Sequence, residues 1–582
     1  MNQETKICQN CKNQFTIEPE DFNFYEKIKV PPPTFCPECR FQRRLLFRNE
    51  RNFYRRKCNL CSKNIIASYP ADAPFPVYCV KCWWSDNWNP FEYGRDFDFS
   101  RPFFEQFREL SLKVPVLAIM NDDGVGSVNS EWSYDWAFSK NIYLCACGWY
   151  DENCLYSYYL CYDKDVLDCY VVNNSELVYE GINCDSCYNS KYCTLCFGCN
   201  DCVFGYDLKG CSNCLMCVGL RNKQYCILNQ QYSKDEYFKK IKELQLGNRT
   251  ALEKMRKEFE DFYLRFPRKH VYHLKSVNCT GNHLFESRMS RNCFYAQRVE
   301  NCRFLVNIDG AKDCYDCNNT GNPELSYESV TPDNSRGNKF SIFCWKCTEA
   351  EYSNNCHSCV GIFGCTALKH VSYAILNKRY SKEEYNSLRQ KIIEHIKKTG
   401  EWGEFFPRTL SPFAYNESAA IEWFSLSEEE AITRGYQWKG AEKRDYKITK
   451  TPEQLSENIS EVDDSILNEI IACAHGGKCN ERCTTAFRVV EAELQLYRRM
   501  NIPLPSLCSN CRHYARLRKR TPAKLWHRKC TCAGAKSDNE VYTNTISHFH
   551  GADPCPNEFE TSYAPERKEI VYCEQCYNAE VV

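Results

Sequence analysis

Cysteine is the residue type in this sequence whose number and spacing could do chemistry. Of the 582 residues, 43 are cysteines, and at least sixteen of these occur in Cys-x-x-Cys pairs. Two such pairs separated by roughly 17 to 24 residues bring four sulfurs together when the intervening loop folds back, and four thiolates suit tetrahedral Zn²⁺. We predict four structural zinc ions with these ligand sets: Cys8, Cys11, Cys36 and Cys39; Cys58, Cys61, Cys79 and Cys82; Cys479, Cys483, Cys508 and Cys511; and Cys530, Cys555, Cys573 and Cys576.

Some alternatives to these ligand assignments stay open. Cys532 competes with Cys530 for the last site, because only one residue separates the two. A mixed metal site around Cys473 and His475 is an alternative at the third site, although we expect Cys479 to be the ligand and His475 to be solvated. Iron or redox-active thiols are the alternatives to zinc. No set has an obvious open fourth position, so we predict structural sites and assign no catalytic residue.

The two ends of the chain repeat each other. Cys11, Tyr25 and Arg40 have counterparts 472 residues later, and the matching set at this offset is Cys483, Phe487, Tyr497, Pro503, Pro505, Cys508, Cys511, Arg512, Arg516, Arg520, Arg528, Lys529 and Cys530. After Cys530 the second copy carries an insertion that contains His548 and His550, and the match resumes at an offset of 494 residues. Such small units cannot bury enough apolar surface alone, so metal binding must supply folding free energy. We conclude that a double zinc module is duplicated.

The run CQNCKNQFTIEPEDFNFYEKIKVPPPTFCPECRFQRR resembles the "probable zinc-ribbon" domain of many uncharacterised bacterial proteins. The resemblance covers residues 6–45, with an echo at 479–516, and the wider layout is similar to large cysteine-rich proteins of unknown function from candidate-phyla bacteria. It implies zinc binding and a zinc-ribbon or treble-clef-like fold, and it implies no known activity. The longer spacing from Cys479 to Cys483 and the insertion after Cys530 depart from the pattern.

A basic segment lies between the two zinc sites of each module. Residues 40–57 carry a net charge of +7 and residues 512–529 carry +8, while the whole chain sums to zero. Arginines spaced by four residues would share one face of a helix, and interleaved aromatics suit phosphate backbone and unstacked bases. The predicted nucleic-acid contacts are Arg40, Arg44, Arg48, Arg56, Arg512, Arg516, Arg520 and Arg528. The alternative is that these arginines dock on acidic surfaces of the same chain.

Two central stretches carry a second cysteine pattern. Cysteines recur at steps of three residues, as in Cys193, Cys196, Cys199 and Cys202, among Asn, Asp, Gly and Ser. Short strands with such turns favour a β-solenoid in which cysteine is a small inward-facing side chain, with zinc at some pairs as the alternative. The stretches end alike at 220–237 and 368–385, an offset of 148 residues. The capping boxes at Ser233, Ser381 and Ser427 predict helices.

The predicted fold class is multidomain and mostly β with small α content. Tandem zinc-ribbon or treble-clef-like modules flank a central cysteine-rich β-solenoid that helices interrupt. The predicted domains are 1–100, the N-terminal double zinc module; 101–143, an aromatic connecting segment; 144–232, solenoid half A; 233–268, a helical hairpin; 269–380, solenoid half B; 381–472, a helix and linker; and 473–582, the C-terminal double zinc module.

Composition and motifs limit the classes of function that we expect for this protein. The sequence contains no apolar run long enough to cross a bilayer and no apolar segment near residue 1, so we expect a cytoplasmic protein without membrane contact. No nucleotide-binding or hydrolase motif occurs, which favours a non-enzymatic protein. We predict a zinc-stabilised binding protein whose basic modules contact RNA, DNA or a ribonucleoprotein. A protein-interaction scaffold with internally docked basic helices and a metal- or thiol-dependent enzyme are the alternatives.

Overall fold

The structure is a computed structural model that describes residues 2–121, 127–319, 321–440 and 446–581. The chain is multidomain, with many short strands, some helices and cysteine clusters near both ends. Two parts of predicted segments, 122–126 in the connecting segment and 441–445 in the linker, lie outside the described residues.

The N-terminal module consists of two hairpins, each followed by a helix that begins at a cysteine. The first hairpin turns at Cys8 and Cys11, and the helix Pro37–Leu45 starts directly after Cys36. The elements of this module are the strands Glu4–Ile7, Gln14–Ile17, Tyr54–Lys57, Asn64–Ala67 and Val77–Tyr78 and the helices Pro19–Ile28, Pro37–Leu45 and Val80–Trp84. Each hairpin turn therefore supplies two cysteines, and the helix start that follows places two more beside them.

The C-terminal module has the same order of elements. Its helix Ser509–Leu517 starts directly after Cys508, as Pro37–Leu45 starts after Cys36. The elements are the strands Ile471–Ala472, Ala486–Phe487, Trp526–Lys529, Glu558–Thr561 and Val571–Tyr572 and the helices Glu491–Met500, Ser509–Leu517 and Glu574–Val581. The strand Val571–Tyr572 pairs in parallel with Arg268–Lys269, so the last strand joins the middle of the chain.

Between the modules, short strands pair in parallel with one another at a constant offset along the chain. Tyr158 lies beside Tyr170, and Tyr170 lies beside Ile182. The strands of the first stack are Trp132–Ala137, Tyr143–Trp149, Tyr158–Cys161, Tyr170–Asn173, Glu176–Tyr179, Ile182–Asp185, Tyr188–Lys191, Val203–Tyr206, Ser212–Val218, Gln224–Ile227 and Gln230–Gln231. Those of the second stack are His273–Leu274, Gly281–Phe285, Cys293–Glu300, Val306–Lys312, Tyr315–Asn318, Tyr327–Val330, Thr348–Glu351, Val360–Phe363, Ser372–Ile375 and Lys378–Arg379. The final short strand of each stack is antiparallel.

The backbone of both stacks repeats every three residues. From Leu144 to Leu228, every third residue has a positive φ near +55°, and the second stack follows the same rule with few exceptions. Asn, Asp and Gly tolerate this left-handed conformation best, which explains their abundance there. Most of the intervening cysteines are buried, and their thiols donate to backbone carbonyls; Cys193 Sγ, for example, lies 3.4 Å from the carbonyl oxygen of Lys191. Cysteine thus fills a narrow interior while satisfying carbonyl groups.

Helices begin where the capping boxes predict. Ser233, Ser381 and Ser427 each accept a hydrogen bond from the third helical residue, and they open Lys234–Glu243, Lys382–Lys398 and Glu428–Thr433. The remaining α-helices of the described residues are Phe103–Lys113, Arg249–Tyr263 and Ala420–Trp423. The helix expected to carry three arginines on one face is shorter than expected, because Pro37–Leu45 ends before Arg48.

Each terminal module packs on the more distant stack. In the N-terminal module, Phe24 stacks on Tyr315 of the second stack with a ring separation of 3.8 Å, and Tyr25 lies 5.4 Å from Tyr327. In the C-terminal module, Tyr497 lies edge-on to Tyr179 of the first stack at 6.1 Å. These tyrosine pairs correspond to each other, since they share the offsets of 472 and 148 residues found in the sequence.

The aromatic connecting segment packs the N-terminal module against the second stack. Phe103 of this segment contacts Phe363 of the second stack at a ring separation of 5.3 Å. The fully buried Trp83 of the N-terminal module lies beside His357, and its indole N–H donates to the carbonyl oxygen of Pro115 in the segment at 3.2 Å. Among the described residues, no helix combines the length and apolar character needed to span a lipid bilayer.

Candidate metal centres

The N-terminal module brings both of its predicted cysteine sets together. In the first set, Cys11 Sγ lies 3.7 Å from Cys36 Sγ, and the backbone N–H of Cys36 donates to Cys8 Sγ at 3.2 Å. The second set, Cys58, Cys61, Cys79 and Cys82, repeats this arrangement: the N–H of Cys79 donates to Cys58 Sγ at 3.3 Å, and Cys61 and Cys79 lie 4.0 Å apart. In each set the first cysteine thus accepts from the N–H of the third.

Backbone hydrogen bonds favour the thiolate form of those first cysteines. Burial acts to raise the pKa of Cys8, but N–H groups of Cys36 and Cys11 outweigh it and lower the pKa to about 7. At Cys58, burial is likewise outweighed by backbone hydrogen bonds from Cys61 and Cys79, and the pKa falls to about 7. Because a metal binds thiolate rather than thiol, such hydrogen bonds prepare the ligand.

The third group contains a cysteine outside the predicted set. Cys473, Cys483, Cys508 and Cys511 lie together, and the N–H of Cys508 donates to Cys473 Sγ at 3.3 Å. Cys473 therefore occupies the place that Cys8 and Cys58 hold in the other module. The predicted ligand Cys479 is also adjacent, with its Sγ 3.7 Å from Cys511 Sγ, so five thiols converge here. His475 lies beside Glu481 at 3.2 Å.

The fourth group contains the four predicted cysteines, all buried. Cys530, Cys555, Cys573 and Cys576 lie together, and the N–H of Cys573 donates to Cys530 Sγ at 3.2 Å. A hydrogen bond with Cys530 lowers the pKa of Cys573 to about 4. The competitor Cys532 lies instead beside His548, with Sγ 3.1 Å from Nδ1.

These groups are geometrically suited to a tetrahedral metal ion. Four ligands at a metal–sulfur distance of about 2.3 Å lie about 3.8 Å from one another. The observed sulfur pairs range from 3.5 Å between Cys508 and Cys511 to 4.0 Å between Cys61 and Cys79. Each group can therefore close on one ion with small side-chain adjustments.

The predicted arginines of the N-terminal helix are buried against carboxylates of the second stack. Arg40 contacts Asp316 with Nη2 2.8 Å from Oδ2, and Arg44 contacts Asp316 Oδ1 at 3.2 Å. Arg43 contacts Glu328 at 3.0 Å. Arg40, Arg44 and Asp316 are each at most 1% exposed, so this pair of guanidinium groups is screened from solvent.

The C-terminal helix repeats this contact on the first stack. Arg512 contacts Asp168 at 2.8 Å, and Arg516 contacts the other oxygen of Asp168 at 2.6 Å. Asp168 and Asp316 differ by 148 residues, the offset that relates the two stacks. Two arginines of each module thus share one carboxylate, and the whole contact is duplicated.

The other four predicted arginines also have partners within the chain. Arg48 contacts Glu50 at 2.7 Å, and Arg520 lies over the Trp423 ring at 3.5 Å. Arg56 and Arg528 donate to the carbonyl oxygens of Pro70 and Ala564, at 2.6 and 3.3 Å respectively. Nucleic-acid binding by this protein stays a prediction, but these eight side chains already have partners. These arginines can pair within the chain because carboxylate and carbonyl oxygens accept hydrogen bonds from the same guanidinium donors that would bind a phosphate.

The sequence indicated Cys473 only in the alternative mixed site with His475, and it did not indicate the two aspartates or the pairing of Cys532 with His548. Cys473 precedes Cys483 by ten residues, so no Cys-x-x-Cys spacing marks it. The aspartates left a signal, because both lie in the repeated central stretches at the common offset. No family model matches this sequence, and no curated protein is significantly similar to it. The resemblance to the "probable zinc-ribbon" domain therefore stays an expectation.

Proposed function

We propose that this chain is a zinc-stabilised, non-enzymatic scaffold for a protein partner, built from two β-solenoids with the basic helices docked inside the molecule. The observation that carries the proposal is the duplicated contact of Arg40 and Arg44 with Asp316 and of Arg512 and Arg516 with Asp168. Buried guanidinium groups that already form ion pairs are better placed to hold parts of the folded chain together than to bind a polyanion.

Solenoid architecture is supported by the parallel pairing at a constant offset and the three-residue backbone repeat. Coils of constant length that contact only their neighbours form an extended, rigid surface, which suits a scaffold. The terminal hairpin-and-helix units support the zinc-ribbon or treble-clef-like assignment, because each draws two ligands from a hairpin turn and two from a helix start.

Zinc is favoured as the metal by the donor set. Four thiolates in tetrahedral spacing suit Zn²⁺, and each set leaves no position for a substrate. Thiol catalysis has little support at the stack cysteines that reach the surface in part. Burial and the nearby Asp151 raise the pKa of Cys161 to about 12, and burial raises the pKa of Cys279. The thiolate form of both cysteines is therefore disfavoured at neutral pH.

The scaffold proposal is tested by separating docking from nucleic-acid binding. The variant Arg40→Gln/Arg512→Gln removes one arginine of each pair, and Lys57→Gln/Lys529→Gln removes two exposed charges at other positions of the modules. Binding of labelled single-stranded RNA and duplex DNA is measured by fluorescence anisotropy at roughly 50 and 200 mM salt. We expect the arginine variant to lower the unfolding midpoint, with nucleic-acid affinity unchanged in the folded fraction. Salt-dependent binding that this variant abolishes while zinc content and fold persist would contradict the proposal.

An exposed aromatic ladder on the first stack offers a contact surface for the protein partner. Phe138, Tyr150 and Tyr162 occupy equivalent positions in successive coils, with nearly parallel rings separated by 5.1 and 4.9 Å. Their exposed fractions are 44%, 50% and 59%. Rigid exposed aromatic side chains are enriched in protein interfaces because they bury much area at low entropic cost.

The ladder is tested by comparative cross-linking in lysate. Phe138→Ser/Tyr150→Ser/Tyr162→Ser removes the rings, and Tyr188→Ser is the matched control, since it removes a ring of similar exposure elsewhere on this stack. We expect the same cross-linked protein with wild type and control, and at least about a tenfold lower yield with the triple variant, as expected when central interface anchors are lost. Equal yields from all three proteins would exclude the ladder as the contact surface.

A further inference from the structure

A second metal-ligand group adjoins the fourth cysteine set. Cys532, His548, His550 and Cys576 present ligand atoms within 4.8 Å of one another. Cys532 Sγ lies 3.1 Å from His548 Nδ1, and Cys576 Sγ lies 3.4 Å from His550 Nε2. Sulfur and nitrogen ligands of one tetrahedral zinc ion lie about 3.5 Å apart, so these distances fit a Cys₂His₂ site.

The two imidazoles are held with an unprotonated nitrogen facing the sulfurs. Glu580 accepts from His548 Nε2 at 2.8 Å, and neither side chain has any exposed surface. The carbonyl oxygen of Asp553 accepts from His550 Nδ1 at 2.6 Å. Since each acceptor takes the ring proton, the lone pair of the other ring nitrogen points into the group. A histidine whose outer nitrogen donates to a carboxylate or carbonyl is the usual form of a metal-bound histidine.

The sulfur of Cys532 is prepared in the same way. Asn544 Nδ2 donates to Cys532 Sγ at 3.2 Å, so the sulfur acts as an acceptor. Four electron-pair donors therefore converge in a mostly buried space, and a cation would satisfy all four at once.

Cys576 belongs to both groups. Its Sγ lies 3.7 Å from Cys555 Sγ in the tetra-cysteine set, as well as beside His550. A bridging thiolate would join two ions, and the pair would carry a net charge of about −1, with five thiolates and two neutral imidazoles around two divalent ions. One ion with four thiolates carries about −2, so the second ion reduces the charge that the buried site must accommodate.

We propose that Cys532, His548, His550 and Cys576 bind a fifth zinc ion, which the Cys576 thiolate bridges to the ion of the tetra-cysteine set. The extra ligands come from the insertion that separates Cys530 from Cys555, a segment that the N-terminal module lacks. The insertion thereby acquires a metal centre of its own, and the two modules differ in metal content. The proposal concerns an additional ion that shares only Cys576 with the fourth tetra-cysteine set.

Metal counting on the full chain tests this inference. Elemental analysis and native mass spectrometry of zinc-loaded protein should give five ions for wild type and four for His548→Ala. The control His527→Ala, which removes an exposed histidine paired with Glu558 and Glu560, should retain five. Glu580→Gln should weaken one zinc by about 10- to 100-fold in chelator competition, as expected for loss of an outer-shell partner.

Cadmium NMR of wild type keeps the test independent of variant folding. Protein loaded with ¹¹³Cd should show one resonance of a Cys₂His₂ site, coupled through the shared sulfur to a resonance of a Cys₄ site. A wild-type count of four with no such resonance overturns this inference and leaves the four predicted zinc ions intact. A count below three contradicts the zinc proposal itself, so the two failures are distinguishable.

Discussion

At the scale of single residues, Asp316 is the side chain on which two buried guanidinium groups depend. Asp316→Asn removes the charge while keeping the shape, and among the described carboxylates it leaves only Glu328 within 4 Å of Arg40 and Arg44, at 3.9 and 3.7 Å. We expect a loss of about 3 kcal/mol, the lower end for breaking a buried pair, because Glu328 still compensates in part. Urea unfolding followed by circular dichroism measures it.

The control for this prediction lies on the same stack. Glu300 contacts Arg288 at 2.8 Å, but Arg288 is 66% exposed. Glu300→Gln should therefore cost less than about 1 kcal/mol, as is typical of solvated ion pairs. Equal losses for the two variants would show that the contact with Asp316 adds nothing beyond an ordinary surface pair.

A second residue-scale prediction concerns pH and His283. This histidine lies between Tyr272 and Tyr295 at ring separations of 5.5 and 4.6 Å, and burial lowers its pKa from 6.5 to about 3. Between pH 6.5 and 3 the unfolded chain binds a proton that the folded chain refuses, so stability falls as pH decreases through this range. From pH 6.5 to pH 5 the loss should be about 2 kcal/mol.

Comparison with His283→Gln isolates this titration. Thiolate protonation and zinc release change with pH in both proteins, so the difference between their stabilities reports the histidine alone. We expect wild type to lose stability relative to the variant on acidification, measured by urea unfolding at pH 7, 6 and 5. A constant difference across these pH values would contradict the lowered pKa.

At the scale of the elements, the stacks tolerate side chains at most left-handed positions but not at Gly281. A Cβ on Gly281 would lie 1.8 Å from the carbonyl oxygen of Cys293 in the neighbouring strand, with φ +130°. The matched position Gly198 has φ +61° and open space within 4 Å. Gly198→Ala should cost about 1 kcal/mol from backbone conformation, whereas Gly281→Ala should cost several times more and separate two strands. Thermal unfolding, with hydrogen exchange of the first stack for Gly198→Ala and of the second stack for Gly281→Ala, would measure the two losses. Similar losses would contradict the close approach.

Also at this scale, Cys473 is expected to matter more to the third metal group than Cys479. Cys473 accepts from the N–H of Cys508, as the first cysteine does in the other sets, whereas the contact of Cys479 is with the sulfur of Cys511. We expect Cys473→Ser to release one zinc ion to a moderate chelator and Cys479→Ser to retain it. The reverse order would return the ligand to the position predicted from spacing.

These particulars explain what the sequence could and could not predict. Cysteine spacing identified the sets at Cys8 and Cys58 because both ligand pairs are local, but Cys473 is brought in by chain folding. The arginines at every fourth position indicated an anion-binding face, yet the same spacing serves a carboxylate such as Asp316 and a phosphate. Only the three-dimensional pairing identifies which anion is present. The three-residue repeat of positive φ could not be predicted from the sequence, because many residue types other than Asn, Asp and Gly adopt it here.

At the scale of the whole molecule, metal removal should undo the attachment of modules to stacks. Each module is small, so loss of its ions should unfold the hairpins and helix starts that position Arg40 and Arg512. Treatment with a strong zinc chelator at neutral pH should enlarge the radius of gyration in small-angle scattering while far-ultraviolet dichroism of the parallel strands largely persists. An unchanged radius after complete zinc loss would show that the modules hold their shape without metal.

The crossed attachment, in which each terminal module rests on the more distant stack, also bears on biosynthesis. A nascent chain emerging from the ribosome would complete its first stack long before the helix that neutralises Asp168 has been translated. The strand Val571–Tyr572, which pairs beside Lys269, is made later still. Pairing of Asp168 therefore comes late in synthesis, and a chain that stopped before Arg512 would leave this carboxylate without the two arginines that contact it.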